Sequence, residues 1–261
     1  MSSVFDSPRA LRQAIRAGAF TGLTTGHAPG YVQANLAVVP GEFAADFVAF
    51  CAANARACPV LAVGEPGAPE FPGLGADIDV RRDLPAYRVY RDGRHVETTP
   101  DIASLWRPDS VAVAIGCWFS MEEALARAGV RLRHVELGIQ GPLFRTNRPS
   151  ASVGRFGGPL VVSMRPFDRR AVPTVKEVTG RFPRVHGGPL HEGSADVLGI
   201  ADLAKPDFGE PIDVLPNEQP LYWGCGLTAL AALELSEIPL FITHAPGAML
   251  VTDIGNDSLA D

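Results

Sequence analysis

The sequence has no run of lysine or arginine, and its 261 residues carry a formal net charge of −6 at pH 7. Because binding to a phosphate backbone needs a clustered positive surface, we exclude nucleic acid as a partner. No apolar stretch approaches the roughly 18 to 20 residues that span a bilayer, so we expect no membrane partner. The early segment SPRALRQAIRAG lacks the apolar core of a secretory signal. We therefore expect a cytoplasmic location.

Motifs for cofactors and covalent cross-links are also missing. The four cysteines are irregularly spaced, which favours free thiols over a disulfide framework. No glycine-rich fingerprint follows a predicted strand, so we expect no nucleotide cofactor. Neither C-x-x-C nor H-E-x-x-H occurs, and we assign no metal ligands. The cofactor stays unknown, with a divalent metal left open.

Two segments of the chain resemble each other, residues 109–138 and 219–247. Each has an apolar run, a Gly-Cys pair, a helical pattern, a second short run and then a histidine, at nearly equal spacing. This predicts an internal duplication. We expect an α/β fold with mixed sheets, in which strand–Gly-Cys–helix–strand units repeat about a pseudo-twofold axis. Residues 1–261 should form one domain of two intertwined halves, about 20–150 and 151–255.

The two Gly-Cys pairs place Cys117 and Cys225 where a strand turns into a helix. A helix N-terminus favours a thiolate, so either thiol is a candidate reactive group. The alternative is a tight turn that needs only a small buried side chain. The sequence alone leaves both interpretations open.

The densest polar cluster lies at residues 186–193, where His186, His191 and Glu192 follow one another closely. Two imidazoles in a glycine-rich loop suit acid/base catalysis, with metal binding or a structural role as alternatives. The strand-like run at 157–166 ends near Ser163 and Arg165. Guanidinium groups pair with carboxylates, which makes Arg165 and Arg145 candidate substrate ligands.

Two further polar side chains belong to repeated or alternating patterns. His244 begins the second copy of a His-Ala-Pro-Gly tetrapeptide, whose stiff backbone could hold an oxyanion. Asn35 alternates with Tyr31 and Gln33 on one face of a predicted strand. We expect Ser163, His244 and Asn35 to contact the substrate.

Several motifs together resemble the D-glutamate cyclase family, whose bacterial members are named as hydro-lyases. They occur in the order GYVQANL (30–36), DVRRDLPAYRVY (79–90), Gly-Cys (116–117), VVSMRP (161–166), HGGPLH (186–191), PDFG (206–209), WGCG (223–226) and THAPG (243–247). The resemblance runs from about residue 12 to residue 253. It implies a hydro-lyase that acts on a small carboxylate, with conversion of D-glutamate to 5-oxo-D-proline as its concrete form. The chain departs from the family at 193–195, where Gly-Ser-Ala replaces Gly-Asp-Pro.

The leading hypothesis is therefore a carbon–oxygen hydro-lyase in which His186, His191, Cys117 and Cys225 serve catalysis. Two alternatives differ in class. One is a cofactor-independent amino-acid racemase that uses the two cysteines. The other is a small-acid binding protein without turnover. The partner is a small-molecule carboxylate in every case, and homo-oligomerisation is left open.

Overall fold

A computed structural model describes residues 4–261, which form two antiparallel sheets with helices packed against them. The larger sheet contains β1 (Tyr31–Pro40), β2 (Val60–Val63), β3 (Tyr87–Arg91), β4 (Arg94–Thr99), β5 (Ser110–Ile115), β10 (Phe241–His244) and β11 (Leu250–Gly255). The smaller sheet contains β6 (Leu143–Pro149), β7 (Pro159–Asp168), β8 (His191–Glu192) and β9 (Glu218–Gly224). The helices are α1 (Pro8–Arg16), α2 (Gly41–Ala53), α3 (Glu122–Arg127), α4 (Arg133–Leu137), α5 (Val172–Gly180) and α6 (Leu227–Leu235).

The larger sheet has the order β2-β5-β1-β10-β3-β4, with β11 also paired to β1, and the smaller has the order β6-β7-β9-β8. The pairings within residues 4–261 are all antiparallel, which makes the α/β expectation correct and the mixed sheets wrong. Strand β1 is buried on both faces because a separate hydrophobic cluster packs against each of them.

Helix α1 begins with Pro8 in its first turn and with Ser7 as the cap that accepts from the Ala10 N–H. Arg12 then fixes the helix to the larger sheet. Its fully buried guanidinium donates to the Val251 carbonyl and to Asp253, both at 2.9 Å.

The two Gly-Cys pairs follow β5 and β9 directly, and packing explains their glycines. A Cβ on Gly116 would lie 2.5 Å from the Arg184 carbonyl oxygen, and one on Gly224 would lie 2.4 Å from the Arg56 carbonyl oxygen. Any side chain at either position would collide with backbone. Both strands can therefore end against a neighbouring loop and turn at once into helical structure.

The structure does not show the predicted duplication. Both segments contain a strand, a Gly-Cys pair and helical structure, but His134 then lies in helix α4 whereas His244 ends strand β10. The strand expected before His134 is therefore wrong. The preceding strands also belong to different sheets. His134 is buried, and its Nε2 lies 2.7 Å from Glu122 Oε1.

Five buried hydrophobic clusters fill the space around the sheets in the described part of the chain. The face of β1 that carries Ala37 and Val39 packs against α2 and α6, and Cys51 and Cys58 are fully buried there. Across residues 4–261, no helix combines the length and hydrophobicity needed to cross a bilayer.

Candidate active site

A cavity of about 190 Å³ is lined by residues of both sheets. Asn35 and Arg88 reach it from the larger sheet, and Ser163 and Arg165 reach it from β7 of the smaller one. The predicted site residues along its wall are Asn35, Cys117, Ser163, Arg165, His186, Cys225 and His244. Residues far apart in sequence therefore meet in one place, as the chemistry requires.

Arg165 is the electrostatic centre of this cavity. It is 3% exposed, and its Nη1 and Nη2 donate to the carbonyl oxygens of Met164 at 2.8 Å and Gln140 at 2.5 Å. Its guanidinium also lies 5.1 Å from the Trp118 ring. Within the described chain it forms no salt bridge with a carboxylate. Burial lowers its pKa, which reflects the cost of an unpaired charge in a dry site.

Two polar atoms on β7 have no hydrogen-bond partner in residues 4–261. They are Arg165 Nε and Ser163 Oγ, both buried. The two residues are separated by one position, so their side chains leave the same face of the strand. Buried polar atoms are normally paired. The free N–H and hydroxyl therefore mark the place where an anionic ligand would bind.

Gly141 makes room for this guanidinium. Its φ of +80° is in the left-handed region, and a Cβ there would lie 2.8 Å from Arg165 Nη1. The position of Arg165 thus depends on a residue without a side chain.

The thiols of Cys117 and Cys225 line the same cavity. Burial raises the pKa of Cys117 to about 12 and that of Cys225 to about 11, although the backbone N–H groups of Phe119 and Leu227 and the Arg165 charge act in the opposite direction. Desolvation therefore exceeds the effect of the helix N-termini. Both thiols are protonated at neutral pH and can serve as hydrogen-bond donors or acids.

His186 and His244 are neutral imidazoles at pH 7, because burial lowers the pKa of each to about 4. Among residues 4–261, the partner of His186 Nδ1 is the Arg56 carbonyl oxygen at 3.1 Å, which can only accept. Nδ1 therefore carries the proton, and Nε2 is free to accept one. His186 also has a φ of +95°, a strained conformation of the kind found at functional sites. His244 Nδ1 lies 3.3 Å from the Leu36 nitrogen and 3.4 Å from its oxygen.

Arg88 was missed by the sequence analysis, although the residue lies in one of the quoted motifs. Strand β3 buries Tyr87 and Val89 on one face, which places Arg88 on the other. Arg88 pairs in register with Thr243, and Thr243 pairs with Ala37, so Arg88 shares a face with Asn35. The alternation in this strand was the signal that could have found it. Gln140, Trp118 and Phe208 also line the cavity.

His191, which the sequence analysis placed among the catalytic residues, is not one of the described residues that line the cavity. It pairs in register with Tyr222, whereas Ser163 pairs with Trp223, the next residue of β9. Neighbouring residues of a strand point to opposite faces, so His191 and Ser163 lie on opposite sides of the smaller sheet. The His191 Nε2 atom contacts the Ser194 carbonyl at 2.7 Å near the surface.

Arg145 is also outside the residues that line the cavity. Its guanidinium forms a salt bridge with Glu234 at 3.2 Å and covers the Phe208 ring at 5.3 Å. Its charge is therefore already compensated by a carboxylate. This pairing distinguishes it from Arg165.

The balance of charge makes the cavity a site for acids. Its wall, as far as the described residues form it, has two guanidinium groups, two neutral imidazoles and no carboxylate. Within residues 4–261, no three His, Cys, Asp or Glu side chains come together to hold a metal ion. The site is thus positive and its ligand should be an anion.

Comparison with known proteins agrees with this chemistry. The family model described as D-glutamate cyclase matches residues 111–253. A Burkholderia multivorans protein named "putative hydro-lyase" is 51% identical, with 97% of this chain and 98% of the relative covered. Proteins of the same name from Burkholderia lata and Xanthobacter autotrophicus are 50% and 47% identical over 97% and 99% of this chain, and over 99% and 94% of their own length.

The chain belongs to the D-glutamate cyclase family. By this membership it is a hydro-lyase, an enzyme of the carbon–oxygen lyase class. The matched segment of this family member contains six of the predicted site residues that line the cavity, all except Asn35. Among solved structures, a nitrogen repressor-like protein from Methanococcus jannaschii matches at a TM-score of 0.38 with 13% identity, over 90% of this chain and 91% of the other.

Proposed function

We propose that this protein removes water from a small amino dicarboxylate, and that D-glutamate, cyclised to 5-oxo-D-proline, is the substrate. One observation carries the proposal. A buried guanidinium without a carboxylate partner, Arg165, lies beside the unpartnered hydroxyl of Ser163 on the wall of a positive cavity. Family membership gives the reaction class, and the cavity gives the charge of the substrate.

Arg165 and Ser163 would hold one carboxylate through the free Nε–H and the free hydroxyl. Arg88 offers a second positive charge to the other carboxylate. A dicarboxylate held at both ends can be bent so that its amine approaches its own γ-carbon. Such positioning converts binding energy into a near-attack geometry.

The cyclisation forms a C–N bond and breaks a C–O bond. The α-amine nitrogen attacks the γ-carboxyl carbon, and a γ-carboxylate oxygen leaves as water. That oxygen gains two protons, and the nitrogen loses two between the ammonium ion and the lactam, so the protons balance. His186, with Nε2 free, is placed to accept the amine proton. The protonated thiols of Cys117 and Cys225 can supply a proton to the departing oxygen. The scheme gives no step to His191, because it is not among the residues that line the cavity.

The absence of a carboxylate among the described lining residues also suits the nucleophile. A site built for an ammonium ion would offer it a negative partner. Here the neighbours are an amide and neutral imidazoles, which favour the uncharged amine. Only the uncharged amine can attack.

One observation supports a second candidate, an amino-acid racemase. Two thiols line a single cavity, an arrangement in which one could remove and the other return an α-proton. Their raised pKa values weigh against it, because the base would have to be a thiolate.

The test uses purified protein with D-glutamate, L-glutamate, D-aspartate and L-aspartate, followed by chiral chromatography. We expect 5-oxo-D-proline from D-glutamate only. Conversion of one glutamate enantiomer into the other would support the racemase instead. Tight binding of any of the four without formation of product would support the small-acid binding protein instead.

A matched pair of variants ties turnover to the cavity. Arg165→Lys keeps a positive charge but loses the planar donor group, so kcat/KM should fall by about 10²-fold or more. Arg145→Lys makes the same change on the same sheet outside the cavity and should retain activity. Equal activity in both variants would remove Arg165 from the site.

A further inference from the structure

A second cavity of about 170 Å³ lies beside the first and has no role in the proposed reaction. Three parts of the chain form it. They are the loop at 25–30 with Gln33 of β1, the helical turn at 119–123, and Asn256 after β11. Phe119 lines both cavities, so they share a wall.

The second cavity is surrounded by buried oxygen atoms that have no hydrogen-bond partner in the described chain. These atoms are Gln33 Oε1, Ser120 Oγ, Asn256 Oδ1 and Thr25 Oγ1. Gln33, Ser120 and Asn256 are only 7%, 2% and 7% exposed. Buried polar atoms normally have partners, so a group of unpartnered oxygens around one space indicates a ligand. The hydroxyls of Ser120 and Thr25 can donate or accept, whereas the amide oxygens of Gln33 and Asn256 only accept.

The orientation of the Gln33 amide is fixed by its other end. Its Nε2 donates to the carbonyl oxygens of Thr24 and His27, both at 3.0 Å. A flipped amide would lose both hydrogen bonds. The oxygen therefore points away from these two carbonyls, and an amide oxygen can only accept a hydrogen bond or bind a cation.

Two carboxylates join these neutral oxygens. Glu122 and Glu123 line the cavity, and a Cβ on Gly30 would lie 3.5 Å from Glu123 Oε2, which places that carboxylate beside the 25–30 loop. Glu122 uses Oε1 to contact His134 Nε2 at 2.7 Å. The Arg127 guanidinium lies 3.6 Å from Glu123 Oε1 and pairs with that carboxylate. The donor set is thus oxygen, with an excess of negative charge.

We propose that this second cavity is a binding site for a hard divalent cation, Mg²⁺ or Ca²⁺. Carboxylate and amide oxygens are the ligands such ions prefer. His27 also lines this cavity, but its Nδ1 already accepts from the Phe5 N–H at 3.2 Å. Glu122, Glu123, Gln33 and Asn256 supply the oxygens, and water completes the shell. Because residues 120–123 follow Cys117 directly, the ion would hold one wall of the first cavity in place. It takes no part in the dehydration.

The test is direct binding to metal-depleted wild-type protein. MgCl₂, CaCl₂ and MnCl₂ are titrated by calorimetry and in thermal melts, with ionic strength balanced by tetramethylammonium chloride. We expect saturable binding of one ion per chain by Mg²⁺ or Ca²⁺, and a melting temperature that rises with ion concentration, since a ligand of the folded state stabilises it. Failure of both ions to bind at one site overturns the proposal.

Variants locate the ion. Glu123→Gln changes a half-exposed side chain and should weaken binding at least 10-fold, and so should Asn256→Ala. Glu136→Gln is the matched control, because Glu136 is 46% exposed and paired with Arg131 much as Glu123 is 45% exposed and paired with Arg127. Binding that survives Glu123→Gln unchanged overturns the proposal, even if Asn256→Ala does not fold. Neither readout needs turnover, so the outcome is independent of the proposed reaction.

Discussion

Ser163 and Arg165 are separated by one residue and lie on the same face of β7. Each has a buried polar atom without a partner in the described chain, and both residues line one cavity. In a folded chain such atoms are costly, since each loses its hydrogen bonds to water. Their pairing in one cavity indicates a ligand that satisfies both. The following predictions examine how the surrounding residues keep this arrangement.

Gly141→Ala should weaken substrate binding by more than its loss of folding stability explains. The added Cβ meets Arg165 Nη1 at 2.8 Å and must displace the guanidinium. Gly138→Ala is the control, because Gly138 also has a positive φ of +67° but has nothing within 4 Å of its Cβ position. Both variants should lose about 1–2 kcal/mol of unfolding free energy. Only Gly141→Ala should raise KM. Equal KM values for the two variants, measured at a temperature at which thermal melts show both to be folded, would contradict this.

His186→Asn should lower kcat by about 10²-fold or more, because it removes the Nε2 atom that is free to accept a proton. His191→Asn should leave kcat near the wild-type value, because His191 lies on the other side of the sheet. Steady-state kinetics of the two variants check this. The reverse pattern would return the catalytic role to His191.

Alkylation by iodoacetamide at pH 8 should be slow at every cysteine. Burial raises the pKa of Cys117 to about 12 and of Cys225 to about 11, so their thiolate fractions should be at least about 10²-fold below that of free cysteine. Cys51 and Cys58 are fully buried. Peptide mass spectrometry of briefly labelled native protein gives the rates. Rapid labelling of Cys117 or Cys225 would show an activated thiolate and favour the racemase.

Stability should fall as the pH is lowered from about 6.5 towards 4. Burial lowers the pKa of His186 and His244 from 6.5 to about 4, so in this window the unfolded chain binds more protons than the folded one. The stabilisation is complete above pH 6.5 and is lost as the pH approaches 4. Thermal melts at intervals from pH 7.5 to 4.5 measure it. His186→Gln should show a shallower decline than wild type, and an identical decline would mean that His186 is not the titrating group.

The sequence predicted the side chains of β7 well, because alternation along one strand is a local property. Ser163 and Arg165 could be placed on one face without knowledge of any partner strand. Local patterns also singled out five residues that line the cavity. These patterns were the repeated Gly-Cys pair, the polar cluster at 186–193, the repeated His-Ala-Pro-Gly segment and the alternation after Tyr31, and the residues are Cys117, Cys225, His186, His244 and Asn35.

The position of His191 could not be predicted in this way. Its direction depends on the register between β8 and β9, in which a shift of one residue would move it to the other face. The prediction of a strand before His134 was wrong for a related reason. A short apolar run is compatible with a strand or a helix, and the tertiary context selected helix α4.

Strand β1 has a consequence for the order of events during synthesis. It contains residues 31–40, yet it pairs with β10 and β11 at residues 241–255 as well as with β5. Until the ribosome has released residue 255, most of one edge of this apolar strand has no partner. The larger sheet therefore closes only after translation is almost complete, and the nascent chain must be kept from pairing with its neighbours until then.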